Sequence, residues 1–385
     1  MYSRFFETPN QSFFLFGPRG TGKSTLLADR FKSGLIIDLL DPETFQSLSA
    51  APSRLAGLIA ANPQTHRWII DEVQRIPALL PLVHQLIEKH RELAFVLTGS
   101  SARKLRRTST DLLGGRALEC HLHPFLATEV GADFQLEKAL QLGMLPLVLA
   151  APKPEATLKS YLSLYMQTEV MAAGLIKNLA TFSRFLEAVS FSQGSLINFS
   201  AIARDCGVDR KTVQSYIGIL EDLLVAFQLP VFTKRAKREL VTHQKFYYFD
   251  AGVYRAIRPA GPLDQPQEID GAALETLVIQ QVRAWVSYRQ QGESIYFWRS
   301  RGGVEVDLIV YGKHGLAAFE IKNSSKIRFE DLNGLKEFAQ DYPMSKRILL
   351  YRGKHREVID QVLCVPVAEF LGQLAPSWDM FAVGL

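Results

Sequence analysis

Between residue 12 and about residue 129, short apolar runs alternate with longer amphipathic stretches, the order expected of a parallel sheet covered by helices. The runs are FFLF at 13–16, LIID at 35–38, WIID at 68–71 and FVLTG at 95–99. Three of them carry a chemically useful residue at or just past the carboxyl end, which is where α/β sheets bind ligands. Residues 134–179 read as a helical connector, broken by APKPE at 151–155, with Tyr161, Leu162, Leu164, Tyr165 and Met166 supplying apolar positions. Residues 182–232 have the rhythm of three short helices, and a basic cluster, KRAKR, follows at 234–238. From Lys245 the pattern predicts a strand, FYYF, a helix over about 272–288, strands IYFW, VEVDLIV and LAAFEIK, and a helix near 332–340.

Length changes this picture little: 385 residues exceed what one core supports, so two or three domains are expected. Hydrophobic residues at 47% and charged residues at 22% exclude a disordered or fibrous chain. No apolar run approaches the roughly 20 residues that span a bilayer, and residues 1–10 lack a signal-peptide pattern, so a cytoplasmic protein with no membrane partner is expected. Cys120, Cys206 and Cys364 are widely spaced and odd in number, which suits reduced core thiols. His121 and His123 alternate as strand ligands would, but no third ligand lies nearby in the sequence. A net charge of +5 permits a nucleic-acid partner without requiring one.

The segment GPRGTGKS at 17–24 fits G-x-x-x-x-G-K-[ST], between the strand FFLF and the helical start TLLADRF. Gly17, Gly20 and Gly22 let the backbone turn its N–H groups toward phosphate oxygens at the helix start. Lys23 would neutralise the β- and γ-phosphates, and Ser24 would place its hydroxyl on Mg²⁺. The expected ATP cradle is Gly17, Pro18, Arg19, Gly20, Thr21, Gly22, Lys23, Ser24 and Thr25. Asp71, ending WIID, is the expected second metal-holding group, and Glu72 the base that orients and deprotonates the attacking water. FVLTG ends at Thr98, Gly99 and Ser100, and Ser100 is the side chain chosen to touch the γ-phosphate or the water, the alternative being an ordinary turn. Arg116, in LLGGRALE, either supplies positive charge to the transition state, in its own subunit or across an interface, or is a surface arginine.

GPRGTGKST, WIIDEVQRIP, FVLTGSSARKL, LLGGRALE and HLHPF together resemble the ATPase domain of an AAA-type family of bacteria and archaea. LKSYLSLYMQTEV and FYYFDAGVY extend the similarity over nearly the whole chain. The resemblance implies an α/β fold class in three parts: a P-loop AAA-type parallel-sheet domain at 1–133, a winged helix at 181–238 after the connector at 134–180, and a restriction-endonuclease-like domain at 239–385. It implies ATP and Mg²⁺ as cofactors and names no substrate. A homo-oligomer and a protein partner both stay open.

In FSAIARDCGVDRKTVQSYIGILEDLL, Ser200 is the expected cap of one helix, Gly207 the turn and Asp209 the cap of the next. Val208, Val213, Ile217 and Leu220 then form a buried side, leaving Arg210, Lys211, Gln214 and Ser215 exposed to a DNA groove, with KRAKR near the wing. DNA is the expected nucleic acid ahead of RNA; the alternative is a unit that packs on protein and relays nucleotide state. In the last region Glu320 and Lys322 of an E-x-K unit share a strand face that Asp307 can join across a hairpin, and Glu275 on the preceding helix is a fourth member. Carboxylates so placed hold Mg²⁺, which activates water against a phosphodiester, while Lys322 steadies the developing charge. This resembles the PD-(D/E)xK nuclease core. An ion-paired sheet surface, or a fold that binds nucleic acid without cutting, are the alternatives.

Overall fold

The computed structural model describes residues 2–32, 34–100, 113–166, 176, 178–233 and 244–382. The basic cluster at 234–238 lies outside the described residues. The chain divides into two units, one formed by Phe6–His123 with Asp222–Leu224 and the other by Met1–Phe5, Pro124–Glu221 and Val225–Leu385.

In the first unit the apolar runs form strands β1 (Phe13–Phe16), β2 (Leu35–Asp38), β3 (Arg67–Asp71) and β4 (Ala94–Gly99), joined by β5 (Leu118–His121). They make one parallel sheet in the order β2-β3-β4-β1-β5. FFLF has no polar position because β1 lies inside the sheet with both faces covered, and all four of its residues are buried. Helices α1 (Lys23–Arg30), α2 (Pro42–Ala50), α3 (Arg54–Ala60) and α4 (Leu79–Lys89) supply the crossovers. Leu79, Leu80, Val83 and Leu86 of α4 join Phe14, Phe16, Trp68, Ile70 and Leu97 in one core. Cys120 is buried and free, and burial pushes its thiol up to about 11.

The second unit carries more strands than the periodicity predicts. Short helices α5 (Ala127–Val130), α6 (Leu136–Leu142), α7 (Pro146–Leu149) and α8 (Pro154–Ser160) lead into and make up the described part of the connector; the expected break at 151–155 falls between α7 and the first turn of α8, and a further one comes at Gly143, where φ is 74°. After α9 (Leu179–Ser190), α10 (Phe199–Cys206) and α11 (Arg210–Asp222) come as expected around Gly207, whose φ of 65° makes the turn. Asn198, not Ser200, caps α10 by accepting from Ala201 N at 3.1 Å, while Asp209 caps α11 through Thr212 N at 2.9 Å. Strands β6 (Ser195–Leu196), β7 (Ala226–Leu229) and β8 (Lys245–Tyr248) form an antiparallel sheet in the order β6-β8-β7.

Helices α12 (Ala251–Ile257) and α13 (Pro266–Arg289) lead to a six-stranded mixed sheet. Its strands are β9 (Ser294–Arg299), β10 (Glu305–Gly312), β11 (Gly315–Lys322), β12 (Lys346–Tyr351), β13 (Glu357–Ile359) and β14 (Val362–Pro366), with α14 (Asn333–Asp341) and α15 (Val367–Leu371). β10 and β11 are the expected hairpin, and β12 and β14 extend the sheet in parallel beyond it. Cys206 and Cys364 are buried and free in this unit.

One joint in this unit depends on backbone proximity. Asp250 is fully buried at the start of α12; it accepts from Gly252 N at 2.9 Å and Val253 N at 3.2 Å, and from Met144 N, just beyond α6, at 2.8 Å. Burial pushes its carboxyl up to about 6, against the pull of those three donors. A Cβ on Gly143, where φ is 74°, would lie 1.8 Å from Asp250 Oδ1, and one on Gly252 would lie 2.3 Å from Leu142 O. Asp250→Ala, which strands three buried donors, is expected to destabilise this unit by about 2–5 kcal/mol. Urea unfolding followed by tryptophan fluorescence reads this directly, and a loss below about 1 kcal/mol would show that water replaces the carboxylate.

Candidate functional site

Parallel pairing sets the first site. Phe16 lies opposite Gly99 and Ile70 opposite Leu97, so β1, β4 and β3 end side by side with β4 in the middle. The loop after β1 therefore faces Asp71 and Glu72 across the end of β4. Gly20 and Gly22 have φ of 82° and 87°, and Gly22 precedes α1 in the left-handed region, which gives the turn that the glycine spacing predicts. A Cβ on Gly17 would meet Leu122 O at 2.5 Å, so this position tolerates no side chain as it stands. Lys23 is 6% exposed and donates to Gly17 O at 2.7 Å and Pro18 O at 3.3 Å. Thr21 Oγ1 donates to Pro18 O at 2.8 Å, Pro18 is buried, and Arg19, Ser24 and Thr25 are exposed.

Ser24 Oγ donates to Asp71 Oδ2 at 2.6 Å, bringing together two hard oxygen ligands of the kind a magnesium ion takes. Thr98 Oγ1 donates to the other oxygen, Asp71 Oδ1, and accepts from Glu72 N at 2.9 Å. Glu72 itself sits at φ 60°, a left-handed turn that a non-glycine residue keeps only where its surroundings hold it. Its Oε2 accepts from Gln74 Nε2 and, at 3.3 Å, from Ser100 Oγ; Gln74 Nε2 also donates to Ser100 Oγ at 3.2 Å. Ser100 thus reaches Glu72, and Thr98 reaches Asp71. The sequence reading gave no role to Gln74 and preferred Ser100 to Thr98; strand alternation along β4 was the signal that both ends of TGS face the acidic pair. Arg116 bonds Glu88 of α4 and, at 3.1 Å, the Gly114 carbonyl, half-exposed at the surface.

A second cluster gathers on β8, β10, β11 and α13. Asp307 stands where the β9–β10 register slips by one residue between Val306 and Ile309, and its Oδ2 accepts from Ile321 N at 2.9 Å. Lys322 Nζ lies 2.6 Å from Glu320 Oε1, while the buried Glu320 Oε2 has no hydrogen-bond partner among the described residues. Glu275 Oε1 accepts from Tyr247 OH at 2.5 Å. Burial raises the Glu275 carboxyl to about 7 and the Glu320 carboxyl to about 8, with Asp307 adding repulsion in both cases.

The sequence reading brought Glu275, Asp307, Glu320 and Lys322 to one place but missed Lys245, Tyr247 and Glu305. Lys245 Nζ lies 3.1 Å from Glu305 Oε2, 3.7 Å from Glu275 Oε1 and 3.8 Å from Asp307 Oδ1, with its side chain 4% exposed. Burial opposes its charge, but the three carboxylates outweigh that and hold its pKa above the usual lysine range. Among the described residues no three His, Cys, Asp or Glu side chains are placed to hold a metal ion. His121 and His123 are ring neighbours 6.3 Å apart, and His121 pairs with Glu119 at 3.1 Å.

Residues 9–131 match the model of the AAA domain family. Residues 133–264 and 270–370 match two domains of unknown function, DUF8612 and DUF4143. An uncharacterized protein of Mycobacterium tuberculosis is 27% identical over 370 residues, 93% of this chain and 80% of that protein. One of Haemophilus influenzae is 24% identical over 255 residues, 62% of each. Replication initiator DnaA bound to AMPPCP and single-stranded DNA aligns at 14% identity and a TM-score of 0.27, covering 55% of this chain and 82% of that one. Protein VC1899 from Vibrio cholerae aligns at 12% identity and a TM-score of 0.23 over 94% and 95%. Scores that low carry no argument about this chain. The match over residues 9–131 makes that part of the chain an AAA-type domain, and its P-loop is the one at 17–24. No helix among the described residues is long and apolar enough to cross a membrane.

Thr98→Val leaves Asp71 Oδ1 without its donor and Glu72 N without its acceptor, so thermal stability without nucleotide should fall by about 1–3 kcal/mol. Thr98→Ser should restore most of it, and equal stability of the two variants would remove the hydroxyl from this role.

Proposed function

We propose that the chain is a Mg²⁺-dependent ATPase whose nucleotide state governs nucleic-acid binding by its second unit. The Ser24–Asp71 hydrogen bond beside Lys23 supports the first half most strongly, because it joins the phosphate loop to the acidic strand end that hydrolysis requires. Lys23 exchanges the Gly17 and Pro18 carbonyls for β- and γ-phosphate oxygens, as a buried ammonium can when a stronger acceptor arrives. Magnesium, held by Ser24 and Asp71, would draw charge from the phosphate oxygens. Glu72, oriented by Gln74 and Ser100, takes the proton of the water that attacks the γ-phosphorus, and the bond to the ADP oxygen breaks. Thr98 keeps Asp71 in place. Arg116, at the surface beside Glu88, suits a role toward the nucleotide of a neighbouring copy better than toward its own.

Glu72→Gln should keep ATP binding and lower hydrolysis by about 10²–10⁴-fold, whereas Lys23→Ala should lose binding. A phosphate-release assay beside titration with a fluorescent ATP analogue separates the two, and undiminished turnover in Glu72→Gln would sink the assignment of the base.

The second half rests on α10, Gly207 and α11, read as a helix-turn-helix with β6-β8-β7 as the sheet of a winged helix. Arg210, Lys211, Gln214 and Ser215 are all exposed on α11. The restriction-endonuclease-like reading of the remainder leaves two outcomes, cleavage or binding without cleavage, and the buried Lys245 among the carboxylates favours the second. With Mg²⁺ present, DNA should stay intact. Arg210→Ala with Lys211→Ala should weaken DNA binding and reduce its salt slope by about 2. Unchanged affinity across a salt series would instead direct the search to a protein partner.

A further inference from the structure

The carboxylates on α13, β10 and β11 do not have the geometry of a metal centre, because a side chain from another sheet stands among them. Lys245 opens β8, and its neighbours in that strand, Phe246, Tyr247 and Tyr248, are buried, so the strand cannot slide or turn the lysine outward without exposing three aromatic rings. Its ammonium meets Glu275, Glu305 and Asp307 within 3.1–3.8 Å. Several of the remaining acceptor atoms are engaged as well: Asp307 Oδ2 by Ile321 N, Glu275 Oε1 by Tyr247 OH and Glu320 Oε1 by Lys322, while Glu320 Oε2 has no hydrogen-bond partner among the described residues. A divalent ion would have to displace the ammonium and then draw these oxygens off their donors. Carboxylates this buried need a positive charge nearby, and the fold supplies it covalently.

We propose that Lys245 is the resident cation of this cluster, its ammonium among Glu275, Glu305 and Asp307 standing in place of a divalent metal, so that the C-terminal sheet works without metal and does not hydrolyse phosphodiesters. The ammonium also ties β8 to β10 and α13, linking the sheet beside the α10–α11 pair to the sheet of the E-x-K unit. Only the acidic residues and Lys245 enter this proposal, so it stands whether or not the chain hydrolyses ATP.

The test is a Mn²⁺ titration of the full chain without nucleotide, with free Mn²⁺ followed by electron paramagnetic resonance, in an Asp71→Asn background that removes the Ser24–Asp71 site. With Lys245 present, no Mn²⁺ uptake that depends on Asp307 is expected. Lys245→Met should gain a Mn²⁺ site, and Asp307→Asn added to it should abolish that site. Should Lys245→Met fail to fold by circular dichroism, Lys245→Met with Glu305→Gln relieves one negative charge and keeps Glu275, Asp307 and Glu320. Mn²⁺ uptake by the Lys245 protein that is lost on Asp307→Asn overturns the proposal. So does a folded Lys245→Met protein, with or without Glu305→Gln, that takes up none. If neither lysine variant folds, the comparison of the Lys245 protein with and without Asp307→Asn decides alone.

Discussion

Burying an ammonium costs several kcal/mol unless acceptors surround it, and both candidate sites are arranged around one. Lys23, 6% exposed, is satisfied by the carbonyls of its own loop. Lys245, with a side chain 4% exposed, is satisfied by carboxylates from a helix and a strand far away in sequence. Neutral carbonyls hold an ammonium less tightly than a charged acceptor would, so Lys23 keeps a position from which phosphate can take it. Lys245 already has three carboxylates within 3.1–3.8 Å, and an incoming anion offers it nothing better. The same side chain is thereby made exchangeable in one place and fixed in the other.

What could be read from the sequence follows from how local each arrangement is. The phosphate loop is written in eight consecutive residues whose glycines, lysine and serine each have one use, and its glycines take the predicted left-handed conformations. Asp71 and Glu72 are readable because a strand of buried residues ends on them. The partners of those carboxylates are less so. Thr98 and Ser100 sit two apart on one strand end, and only the position of β4 between β1 and β3 shows that each faces a different acid. Gln74 lies two residues past Glu72, but it reaches back only because Glu72 adopts φ 60° and turns the chain.

In the second unit the hairpin of β10 and β11 was legible from its alternation, whereas β12 and β14 were not, since KRILLY and VLCVP are short apolar stretches with no periodicity of their own. Lys245 escaped for a plainer reason. A lysine ahead of FYYF looks like the polar edge of a strand, and its burial is decided by Glu275, Glu305 and Asp307, which belong to other elements. The capping of α10 shows the same limit on a smaller scale: Asn198 and Ser200 are both good caps, and the helix begins where the chain leaves β6.

The E-x-K spacing alone therefore argued for more chemistry than its surroundings support. Glu320 and Lys322 lie 2.6 Å apart, and with the carboxyl of Glu320 raised by burial to about 8, that pair carries less negative charge than two metal-holding acids would. Asp307 is aimed by a bulge, a device that re-directs a side chain, and the donor it is aimed at is the backbone of Ile321. Asp307 Oδ2, Glu275 Oε1 and Glu320 Oε1 are each engaged within the protein, and Lys245 stands beside Glu275 and Asp307. A site in this condition joins β8 to β10 through the ion pairs of Lys245 with Glu305 and Asp307.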